Sequence, residues 1–255
     1  MRKLVSLLLT VALGVCGASN ALAELKWQRL GNGLETTEIR VNNSFIFPPS
    51  VYFYRSNLKN FSIEALSAER YGATRLSAKE FAIKSGATLT VNANYFNEVG
   101  RALGLVVSST KQLSTIHKAG SALTGIFLVK TGIPSILDRS RYSVIGAPSM
   151  AVQAGPRLLS EGKALRVEAE ERARRAGVCI DHKLRVVFFI APSSFRGITL
   201  KELQAVLQRP EINCYDALNF DGGGSAQIFV KGVGQPNISW QGQDDVPVAV
   251  GLVAR

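Results

Sequence analysis

The stretch Asp216-Ala217-Leu218-Asn219-Phe220-Asp221-Gly222-Gly223-Gly224-Ser225-Ala226 decides how this chain is read. A short apolar run leads into an acid, three glycines and a serine. Such a run, bounded by turn residues, reads as a buried strand. Glycine lets the backbone turn freely and lets a ligand approach the main chain. Successive exposed N–H groups in such a loop can form an anion-binding nest. An acid at the strand end would be held rigidly beside it. Tight turns also use glycine, but three in succession exceed what a turn requires.

Upstream of this stretch, Thr199-Leu200-Lys201-Glu202 has capping-box spacing. Leu200, Leu203, Val206 and Leu207 then share one helical face, and Pro210 terminates it. Ser77-Ala78-Lys79-Glu80 repeats the device, with Gly86 as the stop. The charged run 168–174 reads as a surface helix or a loop. Strand signals fall at 51–54, 61–66, 87–95, 103–107, 125–130, 176–181, 184–190, 217–220, 226–231 and 246–253. Residues 176–190 form a predicted hairpin turning at Asp181-His182-Lys183. Strands outnumber helices and hairpins outnumber βαβ patterns. The expected class is α+β: a single domain with a large mixed, mostly antiparallel sheet and a few flanking helices.

The N-terminus carries an export pattern. Met1-Arg2-Lys3 is basic, residues 4–16 are mostly apolar, and Ala21-Leu22-Ala23 offers small side chains at a cleavage site. The apolar run is shorter than the roughly 20 residues that span a bilayer. Val15 stands before Cys16 where lipoprotein processing favours a small residue. Residues 1–23 are therefore expected to be a signal peptide, and the protein to be periplasmic or secreted. The remaining 232 residues suffice for a sizeable core. No later stretch looks transmembrane.

The formal charge of +11 falls to +9 once Arg2 and Lys3 are removed. For a basic exported protein the expected polyanions are phosphate-bearing glycans, lipid head groups or wall polymers, not nucleic acid. Most of the basic residues are scattered as on any solvated surface. Cys179 and Cys214 remain after export. They suit a disulfide in an oxidising compartment, or two buried thiols.

Three further segments carry polar groups at expected strand ends. Asn92-Ala93-Asn94-Tyr95-Phe96-Asn97 offers amides and a phenol suited to sugar hydroxyls, or an ordinary Asn-rich turn. Gln153-Ala154-Gly155-Pro156 marks a fixed bend. Arg172, Arg174 and Arg175 lead into Ala176-Gly177-Val178, and an arginine there could grip phosphate through its fork of donors.

Other chemistries are excluded. Gly223-Gly224-Ser225-Ala226-Gln227 lacks the final glycine of a nucleophile elbow, and His117 and His182 both precede Ser225. Two isolated histidines and two distant cysteines do not make a metal site. Asp244-Asp245 is at most a weak hard-cation site. Walker and dinucleotide motifs are lacking.

Taken in order, Asn92-Ala93-Asn94-Tyr95-Phe96, Gln153-Ala154-Gly155-Pro156, Arg175-Ala176-Gly177-Val178 and Asp221-Gly222-Gly223-Gly224-Ser225 resemble the signature of the phosphodiester glycosidase family. The resemblance spans about residues 60–253, and 24–255 is expected to be one such domain. Two departures stand out. Ala93 and Asn94 replace family glycines, and Ala tolerates a left-handed backbone poorly. Cys179 stands where the family often has Gly.

The resemblance implies hydrolysis of a sugar-1-phosphodiester to free sugar and a phosphomonoester. Asp221 would then be the essential carboxylate, as nucleophile or base. Arg175 and the Gly222, Gly223 and Gly224 amides would hold the phosphate. Asn92, Asn94 and Gln153 would hold the sugar, and Gly155 and Ser225 complete the expected substrate-binding residues. Glu98 and Asp216 are the candidate second acids. No cofactor is expected, and a divalent cation at the phosphate is left open. The competing expectation is a non-catalytic glycan-binding or envelope-scaffold protein on the same fold.

Overall fold

A computed structural model describes residues 27–255 apart from 42–45, 47, 145, 169 and 194. The export pattern at 1–23 lies outside the described residues. The α+β class holds, and the strands divide into three antiparallel sheets.

The largest sheet has eight strands. In spatial order they are β1 (Gln28–Gly31), β2 (Leu34–Arg40), β3 (Ser50–Ser56), β14 (Val186–Ala191), β13 (Arg175–Asp181), β15 (Cys214–Asn219), β11 (Arg157–Ser160) and β12 (Lys163–Ala164). A five-stranded sheet runs β7 (Lys111–Ser114), β6 (Val106–Ser108), β10 (Met150–Ala154), β8 (Gly125–Lys130) and β9 (Ile133–Asp138). The other runs β17 (Ile238–Trp240), β16 (Ile228–Val230), β5 (Leu89–Asn92), β18 (Val248–Ala254) and β4 (Phe61–Ser67).

The period of two along β13 explains the layering. Ala176, Val178 and Ile180 enter a core shared with the two smaller sheets, including Phe127, Val152, Val91 and Val250. Cys179 enters a second core with Phe189, Leu203 and Leu207, where α2 (Leu200–Leu207) covers the opposite face. Both faces of β13 and β14 are therefore buried, and both strands read as continuous apolar runs. Helix α1 (Ala78–Ser85) covers the outer face of the third sheet through Ala78 and Ala82 on Phe229, and Phe81 near Leu66 and Ala249.

Both expected capping boxes form. Ser77 Oγ accepts from Glu80 N–H and Thr199 Oγ1 from Glu202 N–H, with the glutamates reaching back to Ser77 and Thr199 N–H. The hairpin at 181–183 forms as well, without glycine. Asp181 Oδ1 accepts from Lys183 and Arg185 N–H, and Leu184 takes the left-handed conformation.

Other boundaries differ from the sequence pattern. The expected strand at 103–107 starts only at Val106, because Leu105 N–H donates to Gln153 Oε1 instead of a ladder partner. The strand expected over 87–95 ends at Asn92, where Ala93 O turns to accept from Asp221 N–H. The described part of 168–174 is not helical; Ala173 bridges Ile198.

Candidate active site

Strand β15 delivers its chemistry at its C-terminal end. Asn219 is its last residue, pairing with Gly177 of β13. A side chain at Gly177 would lie 2.4 Å from Leu218 O and from the Phe189 ring, so only glycine allows this close approach. Two residues beyond Asn219 stands Asp221. Its N–H donates to Ala93 O at 3.0 Å, joining the large sheet to the chain after β5.

Asp221 is mostly buried. Desolvation pushes its carboxyl up to about 6, and neighbouring Asp244 adds to the rise; hydrogen bonds from Ser225 and the Gly222 N–H act in the opposite direction. Such a group changes charge near neutrality, as an acid–base catalyst must.

Tyr95 and Arg175 complete the constellation. Burial and the charge of Asp221 push the Tyr95 phenol up to about 12, against the pull of Arg175, so it stays protonated. Its hydroxyl donates to Gly155 O at 2.9 Å. Asn219 Nδ2 donates to the same carbonyl at 3.0 Å. Arg175 Nε reaches Ile198 O and its Nη2 reaches Glu171 O, while Nη1 lies toward Gly222. Desolvation lowers the pKa of this guanidinium. Tyr95, Arg175 and Asn219 line a cavity of about 400 Å³, with Leu200, Arg166 and Glu168 at its wall.

Glycine has distinct jobs here. Gly223 is left-handed, with φ +56°. A side chain at Gly224 would meet Asp244 Oδ2 at 2.3 Å. One at Gly155, whose bond to Pro156 is cis, would lie 2.0 Å from Ala122 O.

The amides expected to contact sugar are bonded to main chain in this structure. Asn92 Nδ2 donates to Asp221 O at 2.6 Å and its Oδ1 accepts from Gln227 N–H. Gln153 Oε1 accepts from Leu105 and His117 N–H, and Nε2 donates to His117 O and Leu123 O. Both side chains are fully buried with their polar atoms bonded to main chain, which they hold in place. Asn94 Nδ2 bonds Leu105 O and Gln153 O, leaving Oδ1 buried without a partner. The expected nest is also partly occupied: Gly223 N–H donates to Arg174 O and Ser225 N–H to Gly222 O. Neither Ala93 nor Asn94 has a positive φ, so alanine fits there without strain.

The candidate second acids lie elsewhere. Asp216 sits toward the other end of β15, accepting from Glu161 N–H, and Glu98 is in an exposed loop. Asp244 is the carboxylate that couples to Asp221. The sequence offered one clue to Asn219: in an extended chain it shares a face with Asp221. Among the described residues no group of three or more His, Cys, Asp or Glu side chains is placed to hold a metal, and no helix is long and apolar enough to cross a membrane.

Asp221, Tyr95 and Arg175 stand on a three-sheet frame whose likeness to known proteins makes it a glycosidase-like fold. The sequence model of the phosphodiester glycosidase family matches residues 85–254, and the chain belongs to that family. Its structure is similar to the catalytic domain of zebrafish N-acetylglucosamine-1-phosphodiester α-N-acetylglucosaminidase, auto-inhibited by its pro-peptide. That likeness has a TM-score of 0.67 at 15% identity, covering 90% of this chain and 88% of the other. A hypothetical protein from Synechocystis is similar with a TM-score of 0.63 at 16% identity, covering 91% of this chain and 64% of the other. No curated protein matches it by sequence.

Proposed function

We propose that this protein is an exported hydrolase that cleaves a sugar-1-phosphodiester to free sugar and a phosphomonoester. The observation that carries the reading is Asp221, a buried carboxyl pushed up to about 6 and coupled to the Tyr95 phenol beside a cavity of about 400 Å³. A phosphate leaving group departs with little protonation. The demand is for a carboxylate at the anomeric carbon and a cation at the phosphate.

Ionised Asp221 meets the first demand, as the nucleophile or as the base that activates water. Arg175 meets the second. Two of its nitrogens are fixed by carbonyls, and among the described residues no acceptor takes Nη1. Tyr95 offers a phenol to the sugar from the cavity wall, and Asn219, whose Nδ2 donates to Gly155 O and Phe220 O, fixes the Gly155 carbonyl that also anchors that phenol. Asn219 Oδ1 is buried without a partner. Asn92 holds the Asp221 main chain in place.

Export is supported by the N-terminal pattern at 1–23 and by the disulfide between Cys179 and Cys214, a bond typical of oxidising compartments. The working domain is then 24–255.

The test is to incubate the protein from Glu24 onward, and its Asp221→Asn variant, with an N-acetylglucosamine-α-1-phosphodiester. Mass spectrometry follows free sugar and phosphomonoester. Release by the wild type alone supports the reading. Binding without release by a folded wild type, across a panel of such diesters, would instead support a glycan-binding protein.

A further inference from the structure

Consecutive arginines serve different cavities. Arg175 lines the one beside Tyr95, whereas Arg174 lines a separate groove of about 600 Å³. That groove is walled by Tyr52, Trp240, Pro49, Phe195 and Arg196. Tyr52 and Trp240 stack with ring centroids 4.4 Å apart, 31° from parallel. The indole is fixed, because Trp240 Nε1 donates to Tyr54 Oη at 3.0 Å. Phe195 is 89% exposed.

Arg174 is half-buried at the groove wall. Its Nη2 donates to Ala226 O at 2.6 Å and also to Gln241 O. Its Nε is buried without a partner. Among the described residues no carboxylate pairs with it. A partly desolvated cation without a counter-ion is costly, and an incoming anion relieves that cost. Rigid aromatic rings beside it present a flat apolar surface of the kind that the C–H face of a pyranose covers, with a polar rim for its hydroxyls.

We propose that this groove is a second carbohydrate site, which binds an anionic glycan with a sugar ring on the Tyr52–Trp240 pair and its anionic group on Arg174. The concave shape and the small number of cations in its lining, Arg174 and Arg196, favour a glycan over a membrane surface, which would call for a broad patch of several cations. The site does not depend on turnover at Asp221. It would hold the protein on a phosphorylated or otherwise acidic polysaccharide.

The chain has two tryptophans, so Trp27→Phe leaves Trp240 as the sole indole. In that background, Trp240 fluorescence is titrated with a phosphomonoester-bearing glucose hexasaccharide, with the same hexasaccharide unphosphorylated, and with phosphatidylglycerol vesicles. The expected result is saturable binding of the phosphorylated sugar, at least tenfold tighter than the neutral one. Tyr52→Ala should weaken it at least tenfold while leaving hydrolysis of a small phosphodiester unchanged. Arg174→Gln, checked by its melting curve, should remove the preference for phosphate. The proposal is overturned if the phosphorylated sugar gives no saturable change, if the neutral sugar binds equally, if Tyr52→Ala binds as before, or if only vesicles perturb Trp240.

Discussion

At the scale of single residues, the raised carboxyl of Asp221 makes two predictions of known sign. If the ionised form does the work, kcat/KM falls as pH drops through about 6. A pH–rate profile that instead falls above that value would assign Asp221 to proton donation. Stability moves the other way. The folded state keeps its proton up to about 6, whereas the ordinary value is 3.8, so between these limits the folded chain binds more protons and loses stability as pH rises. The full cost, about 3 kcal/mol, is in place above roughly pH 6. Asp221→Asn should therefore abolish turnover yet raise the melting temperature at neutral pH, with the two proteins converging below about pH 4. A variant no more stable than wild type at neutral pH would show that burial does not penalise the charge. The placement of Asp221 just beyond a strand end was legible in the sequence, since an apolar strand runs into Asp-Gly-Gly-Gly-Ser. The roles of Asn92 and Gln153 were not. An amide that bonds main chain and one that bonds sugar are the same letter, and only their fully occupied hydrogen bonds separate the two.

At the scale of elements, the two capping boxes were readable because their four residues are local. Removing either hydroxyl should cost about 1 kcal/mol. The functional consequences should differ. Thr199 follows Ile198, whose carbonyl holds Arg175 Nε, and Leu200 lines the same cavity as Arg175. Ser77 caps a helix on the outer face of another sheet. Thr199→Ala is expected to raise KM for the phosphodiester severalfold, and Ser77→Ala to leave it unchanged at a similar loss of stability. Denaturant melts paired with steady-state kinetics decide this; equal KM values would mean that α2 does not tune Arg175. Gly155 is a second element-level constraint. Its added methyl would sit 2.0 Å from Ala122 O, a main-chain atom that cannot step aside cheaply. Gly155→Ala should cost about 3 kcal/mol or more and displace the carbonyl that anchors both Tyr95 and Asn219, lowering kcat/KM as well as the melting temperature. Elements defined by long-range partners were harder to read. The start of β6 depends on Gln153, 48 residues away from Leu105, and no window of local sequence contains that bond.

At the scale of the whole molecule, the open question left by the sequence was whether Cys179 and Cys214 meet. Spacing alone does not decide it, because 35 residues separate them and α2 lies between. Register does. On neighbouring antiparallel strands Cys179 faces Ala217 and Asp181 faces Cys214, with a shift in the ladder near that end, and the Cα atoms come within 5.9 Å. The bond crosses the buried face of the large sheet under α2, tying β13 to β15, the two strands that supply Arg175 and Asn219 and lead to Asp221. Closing a loop of this length removes unfolded-state entropy worth about 4 kcal/mol. For a domain of this size that corresponds to a melting temperature lower by roughly 10 °C in the Cys179→Ala/Cys214→Ala double variant. The protein from Glu24 onward has no other cysteine, so alkylating it after denaturation without reductant should label no thiol, and with reductant two. Labelling of both without reductant would show free thiols and remove the disulfide's support for an oxidising compartment. A bonded protein whose double variant melts unchanged would mean that the sheet alone, without the crosslink, holds Arg175 and Asp221 in their relative places.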